Sequence, residues 1–423
     1  MRPSTLAGPM LAAVFAVLCL GTFDAANAAG YKETDLVVGC DPMKEAPPKC
    51  DPAAKTLTDK NGIMHQAKFY GPNLLNPWGI AESPTTPTRL GSPFWISDNN
   101  AGVSTLYNVA GLTPLTVTKN RLVVSIPLPK DILNPSGAPT GTVFNTAQAQ
   151  NAFMISGQDT NKNPISAPAI FLFATEDGTI VGWNPRVNPV GFDPAKAGTY
   201  GIIAVDNSNI THPQSLGAVY KGLAIATTEG GSTFLYATDF RFGRVEIYGP
   251  NFELVRTFTD PDLKEDGYAP FNVVPIRLPG EDEDTLFVTF ALQNAEKHDD
   301  VAGPGHGFVD TFNLAGHIRD RFASRGQLNS PWGVALAPPG FGEFSGKLLI
   351  GNFGNGEINA FDFPEEGEFL GKVRKANGDP IVIDGLWGLK FGNGGNGGGT
   401  NTLYFTAGPN DEMDGLFGAL SPN

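Results

Sequence analysis

Hydrophobic residues along the chain fall in short runs of about five or six, separated by clusters of Gly, Asn, Asp and Pro. The runs are rich in β-branched and aromatic residues, as in PFWISD (93–98), KLLIGN (347–352) and TLYFTA (402–407). Runs of this length and composition, bounded by turn residues, are typical of β-strands. The pattern therefore predicts an all-β chain.

Nearly the same phrase opens three groups of these strands, as NPWGIA (76–81), SPWGVAL (330–336) and GLWGLKF (385–391). Less regular copies are GTVFN (141–145), KGLAIA (221–226) and FNVVPI (271–276). Further strands follow each copy. Six repeats of four antiparallel strands, at a period of roughly 45–80 residues, predict a six-bladed β-propeller. A pair of β-sandwiches is the alternative, but it does not predict six copies of one phrase.

The last repeat ends after three predicted strands, the third being GLFGAL (415–420). The missing fourth strand is most economically TDLVVG (34–39), which would close the ring and remove open strand edges. The predicted organisation is a signal peptide at 1–28, a closing strand with an insertion at 29–72, and the propeller at 73–423.

The Trp of the phrase recurs as Trp78, Trp332 and Trp387. We expect each of them to pack between neighbouring blades, because a large apolar side chain repeated along the ring is what regular packing demands. The alternative is a Trp-lined platform for a sugar at the mouth of the channel.

The N-terminus has the pattern of a secretory signal. Arg2 precedes the apolar stretch MLAAVFAVLCL (10–20), and ANA (26–28) is a small-x-small cleavage site. The apolar stretch is too short to cross a bilayer as a stable helix. The sequence thus predicts an exported protein, periplasmic or extracellular and without membrane insertion after cleavage; an uncleaved anchor is the alternative.

Cleavage would leave two cysteines, Cys40 and Cys50. An even number of cysteines in an oxidising compartment predicts a disulfide. The alternative is metal ligation together with Asp41 and Asp51, although the spacing fits no standard zinc pattern.

The formal net charge of −14 changes the range of expected partners. A strongly acidic surface repels nucleic-acid phosphates and anionic lipid head groups. We therefore expect no nucleic-acid partner, and favour a protein, a glycan or a small molecule that is neutral or cationic.

The pattern P-W-G-[IV]-A, followed by L-[YL]-[VI]-[AG]-[DN] and G-x-I-x-x-[FY], resembles the NHL repeat. Longer stretches, such as LNSPWGVALAPPGFGEFSGKLLIGNFGNGEINAFD (328–362) and NTLYFTAGPNDEMDGLFG (401–418), resemble an uncharacterised family of secreted bacterial NHL-repeat-like β-propeller proteins. The resemblance covers most of residues 73–418. It implies a six-bladed propeller and carries no defined activity.

Acidic and amide side chains end or follow strands at one end of the predicted channel. These channel-mouth candidates are Asp98, Asn99, Glu176, Asp239, Asn352, Asp384, Asn410 and Asp411. Hard oxygen ligands on a rigid mouth suit Ca²⁺, the one cofactor that the pattern suggests, with Asp98, Asp239 and Asn352 as candidate ligands. The alternative is that these side chains only cap tight turns.

A long loop, NAEKHDDVAGPGHG (294–307), interrupts a predicted hairpin. It carries His298, Asp299, Asp300 and His306. Imidazole beside carboxylate binds transition metals or acts as a general base. The alternative is a loop packed on itself.

Together these features predict an exported binding or interaction propeller that uses the loop-bearing mouth of its channel. One alternative is a divalent-metal-dependent hydrolase or lyase acting in the channel, and another is a structural envelope or matrix protein. The chain has no G-x-S-x-G, H-E-x-x-H or C-x-x-C motif, so the common serine hydrolases and zinc proteases are not expected.

Overall fold

The computed structural model describes residues 30–44, 49–111, 114–209, 215–364 and 367–423. The predicted signal peptide lies outside these ranges. Within them the chain is nearly all β-strand, as the hydrophobic pattern predicted, and its α-helical residues are confined to Pro261–Glu265. Single 3-10 turns occur at Asn99–Ala101, Gln148–Gln150, Pro194–Lys196 and Gly342–Phe344. Among the described residues, no helix is long and apolar enough to span a bilayer.

Antiparallel sheets of four strands follow one another along the chain, and within each sheet the strands are ordered as in the sequence. Sheet 1 contains Pro77–Ala81, Phe94–Asp98, Val103–Ala110 and Thr116–Ser125. Sheet 2 contains Pro139–Phe144, Phe171–Thr175, Thr179–Trp183 and Ile202–Asp206. Sheet 3 contains Tyr220–Thr227, Thr233–Asp239, Arg244–Tyr248 and Leu254–Phe258.

The second half of the chain continues the same order. Sheet 4 contains Tyr268–Arg277, Asp284–Leu292, Phe308–Phe312 and Ile318–Ser324. Sheet 5 contains Pro331–Leu336, Leu348–Asn352, Ile358–Phe361 and Phe369–Lys372. Sheet 6 contains Leu386–Phe391, Leu403–Ala407, Gly415–Pro422, the N-terminal strand Tyr31–Gly39 and a short parallel strand Phe69–Tyr70.

The N-terminal strand of sheet 6 pairs with the last strand of the chain. Tyr31–Gly39 runs antiparallel to Gly415–Pro422, with Tyr31 opposite Pro422 and Gly39 opposite Gly415. A Cβ on Gly39 or on Gly415 would lie 2.0 Å from the carbonyl oxygen of Leu74, so this crossing requires glycine on both strands.

The insertion after this strand forms a small sheet of its own, with strands Cys50–Asp51, Thr56–Thr58 and Met64–Gln66. A disulfide joins Cys40 to Cys50, as predicted from the cysteine count. Two hairpins that the sequence pattern did not reveal are Pro127–Leu128 with Asp131–Pro135, and Met154–Gln158 with Pro164–Pro168.

The repeated phrase forms the first strand of its sheet, and these first strands lie innermost. Each contacts the first strand of the next sheet, and that of sheet 6 contacts that of sheet 1. The glycine of the phrase permits the approach: a Cβ on Gly79 would lie 2.4 Å from the Thr140 carbonyl oxygen. The six strands line a cavity of about 550 Å³. Four-stranded sheets around a central channel are the arrangement of a β-propeller.

Each first strand also bulges at the position of the repeated Trp. A bulge re-aims its side chain, here toward the channel. Trp78 stacks on Trp387 with ring centroids 3.4 Å apart, and Trp332 meets Trp78 edge-on at 6.0 Å. The expectation that each Trp packs between neighbouring blades is therefore wrong. The three rings are buried against one another and close one end of the channel.

Candidate functional site

Sheet 3 carries a lysine at the position where sheets 1, 5 and 6 carry Trp. Lys221 occupies the bulge between Tyr220 and Gly222, so its side chain points at the aromatic cluster. Its Nζ lies 5.0 Å from the centroid of the Trp78 ring. Only 2% of the Lys221 side chain is exposed, so the fold buries an ammonium group against the aromatic cluster.

Two carboxylates neutralise this ammonium group. Lys221 Nζ donates to Glu176 Oε1, and to Asp299 Oδ1 at 3.2 Å. Burial opposes the charge on Lys221, but the two carboxylates outweigh burial and raise the pKa of Lys221 above its usual value. The hydrogen bond from His298 and the charge of Lys221 hold the pKa of Asp299 well below its usual range. The site therefore contains a permanent buried cation.

Two asparagine side chains connect the carboxylates to the aromatic cluster. Asn99 Nδ2 donates to Glu176 Oε2 at 2.8 Å. Asn76 Nδ2 donates to Glu412 Oε2 at 2.7 Å, while Asn76 Oδ1 accepts from Trp387 Nε1 at 3.0 Å. Sheets 1, 2, 3, 4 and 6 thus each supply a polar group to one site, which is characteristic of functional loops on a rigid scaffold.

Glu412 is a carboxyl group of this site whose pKa lies near neutrality. Burial, reinforced by the negative charge of Glu176, raises the pKa of Glu412 to about 7. A carboxyl group with such a pKa exchanges a proton readily at neutral pH. The site can therefore bind charge through Lys221 and Glu176 and transfer a proton through Glu412.

The long loop of sheet 4 lies over this site. Glu176, His298 and Asp299 offer ligand atoms that all lie within 4.8 Å of one another. The loop also bonds to itself, since His306 Nδ1 donates to the Val301 carbonyl oxygen at 2.9 Å. Asp300 forms a backbone bridge with Gln293. His306 and Asp300 thus form contacts within the loop, whereas His298 and Asp299 face Glu176 and Lys221.

The three candidate Ca²⁺ ligands are each fully buried in their own sheet. Asp239 Oδ1 accepts from the backbone N–H groups of Val219 and Phe242, both at 3.3 Å. Asn352 Oδ1 accepts from the Asn329 N–H at 3.2 Å. Within the described ranges, Asp98 and Asp239 belong to neither of the His, Cys, Asp and Glu groups with closely spaced ligand atoms. Asp239 and Asn352 form the backbone contacts of turn-capping residues.

The remaining channel-mouth candidates gather around a different lysine. Lys60, from the insertion, lies 3.1 Å from Asp384 and 2.9 Å from Asp411. The Asn410 N–H donates to Asp384 Oδ2 at 2.9 Å. Because Glu412 directly follows Asp411, this group borders the Lys221 site without being part of its ion pairs.

Of the sequence candidates, Asn99, Glu176, His298 and Asp299 meet at the site. Sequence reasoning missed Lys221 and Asn76. Lys221 had a detectable signal, because it replaces an aromatic residue of a repeated phrase whose glycine, Gly222, is retained. Asn76 had no such signal. The sequence pattern also places the stretch GPNDE (408–412) near the channel mouth, but the candidates from it are Asn410 and Asp411 and not Glu412.

Fold and site together define a β-propeller with a buried, charged site at one end of its channel. The chain is 31% identical over 368 residues to Uncharacterized protein R648 of Acanthamoeba polyphaga mimivirus, an alignment that covers 84% of this chain and 77% of that protein. It is 32% identical over 367 residues to Uncharacterized protein L690 of the same virus, covering 84% and 82%. The chain belongs to the family of these two proteins.

Comparison with solved structures and with protein-family models gives less information about the chain. The solved structure of the Dos1 propeller has 9% sequence identity and a TM-score of 0.42, and the match covers 79% of this chain and 67% of that one. No protein-family model matches the chain, so its assignment to the NHL repeat stays a prediction. The relatives named above are viral, and they do not support the bacterial origin that the sequence resemblance implied.

Proposed function

We propose that the chain is an exported six-bladed β-propeller, closed by its N-terminal strand, that binds a ligand or partner around Lys221, Glu176 and Asp299. The burial of Lys221 at a packing position carries this proposal. A buried ion pair contributes little net stability, and well-packed hydrophobic residues in its place are often equally stable or more so. Since an aromatic ring occupies this position in four other sheets, Lys221 is better explained by recognition than by packing.

The closed ring and the export are supported by separate observations. The cycle of contacts among first strands and the pairing of Tyr31–Gly39 with Gly415–Pro422 support a ring of six blades. The disulfide between Cys40 and Cys50 supports export, because disulfides persist in oxidising compartments.

The accessible part of the site indicates the chemistry of its ligand. The side chains of Asp299 and His298 are 60% and 36% exposed, whereas that of Glu176 is 13% exposed. A ligand would therefore meet carboxylate and imidazole groups first, with the ammonium group beneath them. Such a surface favours hydroxyl or amine donors, as in a glycan, a polar small molecule or a basic protein segment.

The proposal can be tested on residues 29–423 produced through an oxidising compartment. Neutral glycans, polyamines and CaCl₂ would be screened by thermal shift, and each hit measured by calorimetry. The site variant is Lys221→Met with Glu176→Gln, which removes the ion pair; the control is Glu265→Gln on the exposed short helix. We expect the control variant to bind the ligand found in the screen and the site variant to lose this binding. A ligand bound equally by both proteins would contradict the proposal.

A divalent-metal-dependent hydrolase or lyase is the second candidate function. It is favoured by the closely spaced ligand atoms of Glu176, His298 and Asp299 beside the titrating Glu412. Lactone and phosphoester hydrolysis would be assayed with CaCl₂, with MnCl₂, with ZnCl₂ and with EDTA. Turnover that EDTA abolishes and Glu412→Gln lowers at least tenfold would support the enzyme; turnover that Glu412→Gln leaves unchanged would exclude this role for Glu412.

A further inference from the structure

A second cluster of ionisable groups lies where the N-terminal strand meets the disulfide-linked insertion. Glu33 and Asp35 belong to the strand Tyr31–Gly39. His65 belongs to the insertion strand Met64–Gln66, and Asp59 directly follows Thr56–Thr58 in the same small sheet. The cluster therefore joins two segments of the chain that contribute nothing to the Lys221 site.

Three of these side chains place ligand atoms close to one another. Glu33, Asp35 and His65 offer ligand atoms that all lie within 4.8 Å of one another. His65 Nδ1 lies 3.4 Å from Asp35 Oδ1, which is longer than most hydrogen bonds of this type. Two ligands of a tetrahedral ion with bonds of about 2.1 Å lie about 3.4 Å apart. The spacing thus suits two ligands of one ion better than a direct hydrogen bond.

The other edge of the imidazole ring is buried without a hydrogen bond. His65 is 4% exposed, and its Nε2 lies 3.8 Å from Asp59 Oδ2. Neither atom has a hydrogen-bond partner within the described part of the chain. Unpaired buried polar atoms are costly and rare in native proteins, so Nε2 and Asp59 Oδ2 are expected to pair once a ligand on Nδ1 holds the ring in place.

Backbone hydrogen bonds fix the carboxylate of Asp59 beside the His65 ring. Its Oδ1 accepts from the backbone N–H groups of Asn61 and Ile63, at 2.9 Å and 2.8 Å, which directs Oδ2 at the ring of His65. When Nδ1 of a histidine binds a metal, Nε2 carries the proton and usually donates it to a carboxylate. Asp59 is therefore placed to orient His65 while Glu33 and Asp35 complete the site.

We infer that Glu33, Asp35 and His65 bind one divalent first-row transition ion of the Zn²⁺ class, with Asp59 as the positioning residue. An imidazole ligand disfavours Ca²⁺ and Mg²⁺, which prefer all-oxygen sites. A cavity of about 520 Å³, lined in part by Glu33, Asp35 and Gln66, gives access to the two carboxylates. Bound metal would fasten the N-terminal strand to the insertion.

The test uses the full exported chain, stripped with chelator and titrated with ZnCl₂ by calorimetry. We expect one Zn²⁺ per chain and a higher melting temperature. His65→Gln and Asp35→Asn should each weaken Zn²⁺ binding at least about 100-fold. The matched control is His317→Gln, an exposed histidine outside both clusters, which should bind Zn²⁺ as tightly as the unmodified chain.

The absorption spectrum of bound Co²⁺ provides a second measurement. We expect absorption bands in the unmodified chain and their loss in Asp35→Asn. This comparison does not depend on whether the His65 variant folds. Absence of stoichiometric Zn²⁺ and of Co²⁺ bands in the unmodified chain would overturn the inference. Loss of Zn²⁺ in His298→Gln instead would assign the metal to the Lys221 site and also overturn it. Because the two clusters share no residue, failure here leaves ligand binding at Lys221 unaffected.

Discussion

At the scale of single residues, the most informative position is the bulge of each first strand. Four first strands fill it with an aromatic ring, at Trp78, Phe271, Trp332 and Trp387, sheet 2 fills it with Thr140, and sheet 3 fills it with the charged Lys221. Removing one partner of a buried ion pair leaves the other charge uncompensated, whereas neutralising both costs little. This difference separates the structural cost of the ion pair from its role in binding.

Lys221→Met should therefore destabilise the chain more than the double variant does. We expect the single variant to lose roughly 3 kcal/mol of unfolding free energy, and Lys221→Met with Glu176→Gln to recover most of it. Urea denaturation measures both, with exposed Lys130→Met as the control. A single variant as stable as the unmodified chain would show that Glu176 gains no stability from the pair.

Glu412 gives the site a pH dependence. Its folded-state pKa of about 7 lies above the ordinary value of 4.5, so the folded chain holds this proton more tightly than the unfolded chain. The resulting stability is complete below about pH 4.5 and is lost as the pH rises through about 7.

Glu412→Gln should remove this dependence and keep the hydrogen bond from Asn76. At pH 8 we expect the variant to be more stable than the unmodified chain by roughly 1–2 kcal/mol, with the difference vanishing near pH 4. Thermal unfolding from pH 4 to pH 8 measures this. If stability depended on pH in the same way in Glu412→Gln and in the unmodified chain, a group other than Glu412 would be responsible.

At the scale of elements, the first strands depend on glycine. A Cβ on Gly79 would lie 2.4 Å from the Thr140 carbonyl oxygen, a backbone atom of the neighbouring first strand. The corresponding Cβ on Gly333 would lie 2.5 Å from the Trp387 carbonyl oxygen. The backbones of adjacent sheets are thus in contact with no room for a side chain.

Gly79→Ala should consequently force two first strands apart and cost roughly 2–3 kcal/mol. Gly230→Ala is the matched control, because a Cβ there would meet only the Thr228 Oγ at 3.8 Å. Chemical denaturation of the two variants compares these costs. Equal stability would mean that the first strands can separate without loss.

At the scale of the whole molecule, the chain ends meet in one sheet. The strand Tyr31–Gly39 covers the open edge of Gly415–Pro422, and an uncovered edge of that length invites aggregation.

Deleting residues 30–38 should therefore lower the melting temperature and promote aggregation. A synthetic peptide of residues 30–39 added in trans should restore part of the stability, whereas a scrambled peptide should not. Light scattering and thermal unfolding measure the effect. A deletion variant that stays monomeric with an unchanged melting temperature would contradict ring closure by this strand.

The sequence by itself determined most strands of the six sheets, the sixfold phrase, the pairing of 34–39 with the last repeat and the Cys40–Cys50 disulfide. These follow from local patterns: apolar runs between turn residues, repetition along the chain, and a count of two cysteines. The same reasoning also selected Asn99, Glu176, His298 and Asp299, because polar residues at strand ends and in a long loop are visible locally.

Only the tertiary structure decided which of these residues meet. Glu176 and Asp299 are separated from Lys221 by 45 and 78 residues, and a bulge directs the lysine toward them. The direction of a side chain at a bulge, and the convergence of loops from several sheets, depend on how the sheets pack. His65 and Asp35, which are 30 residues apart, likewise become neighbours because the insertion packs back on the N-terminal strand.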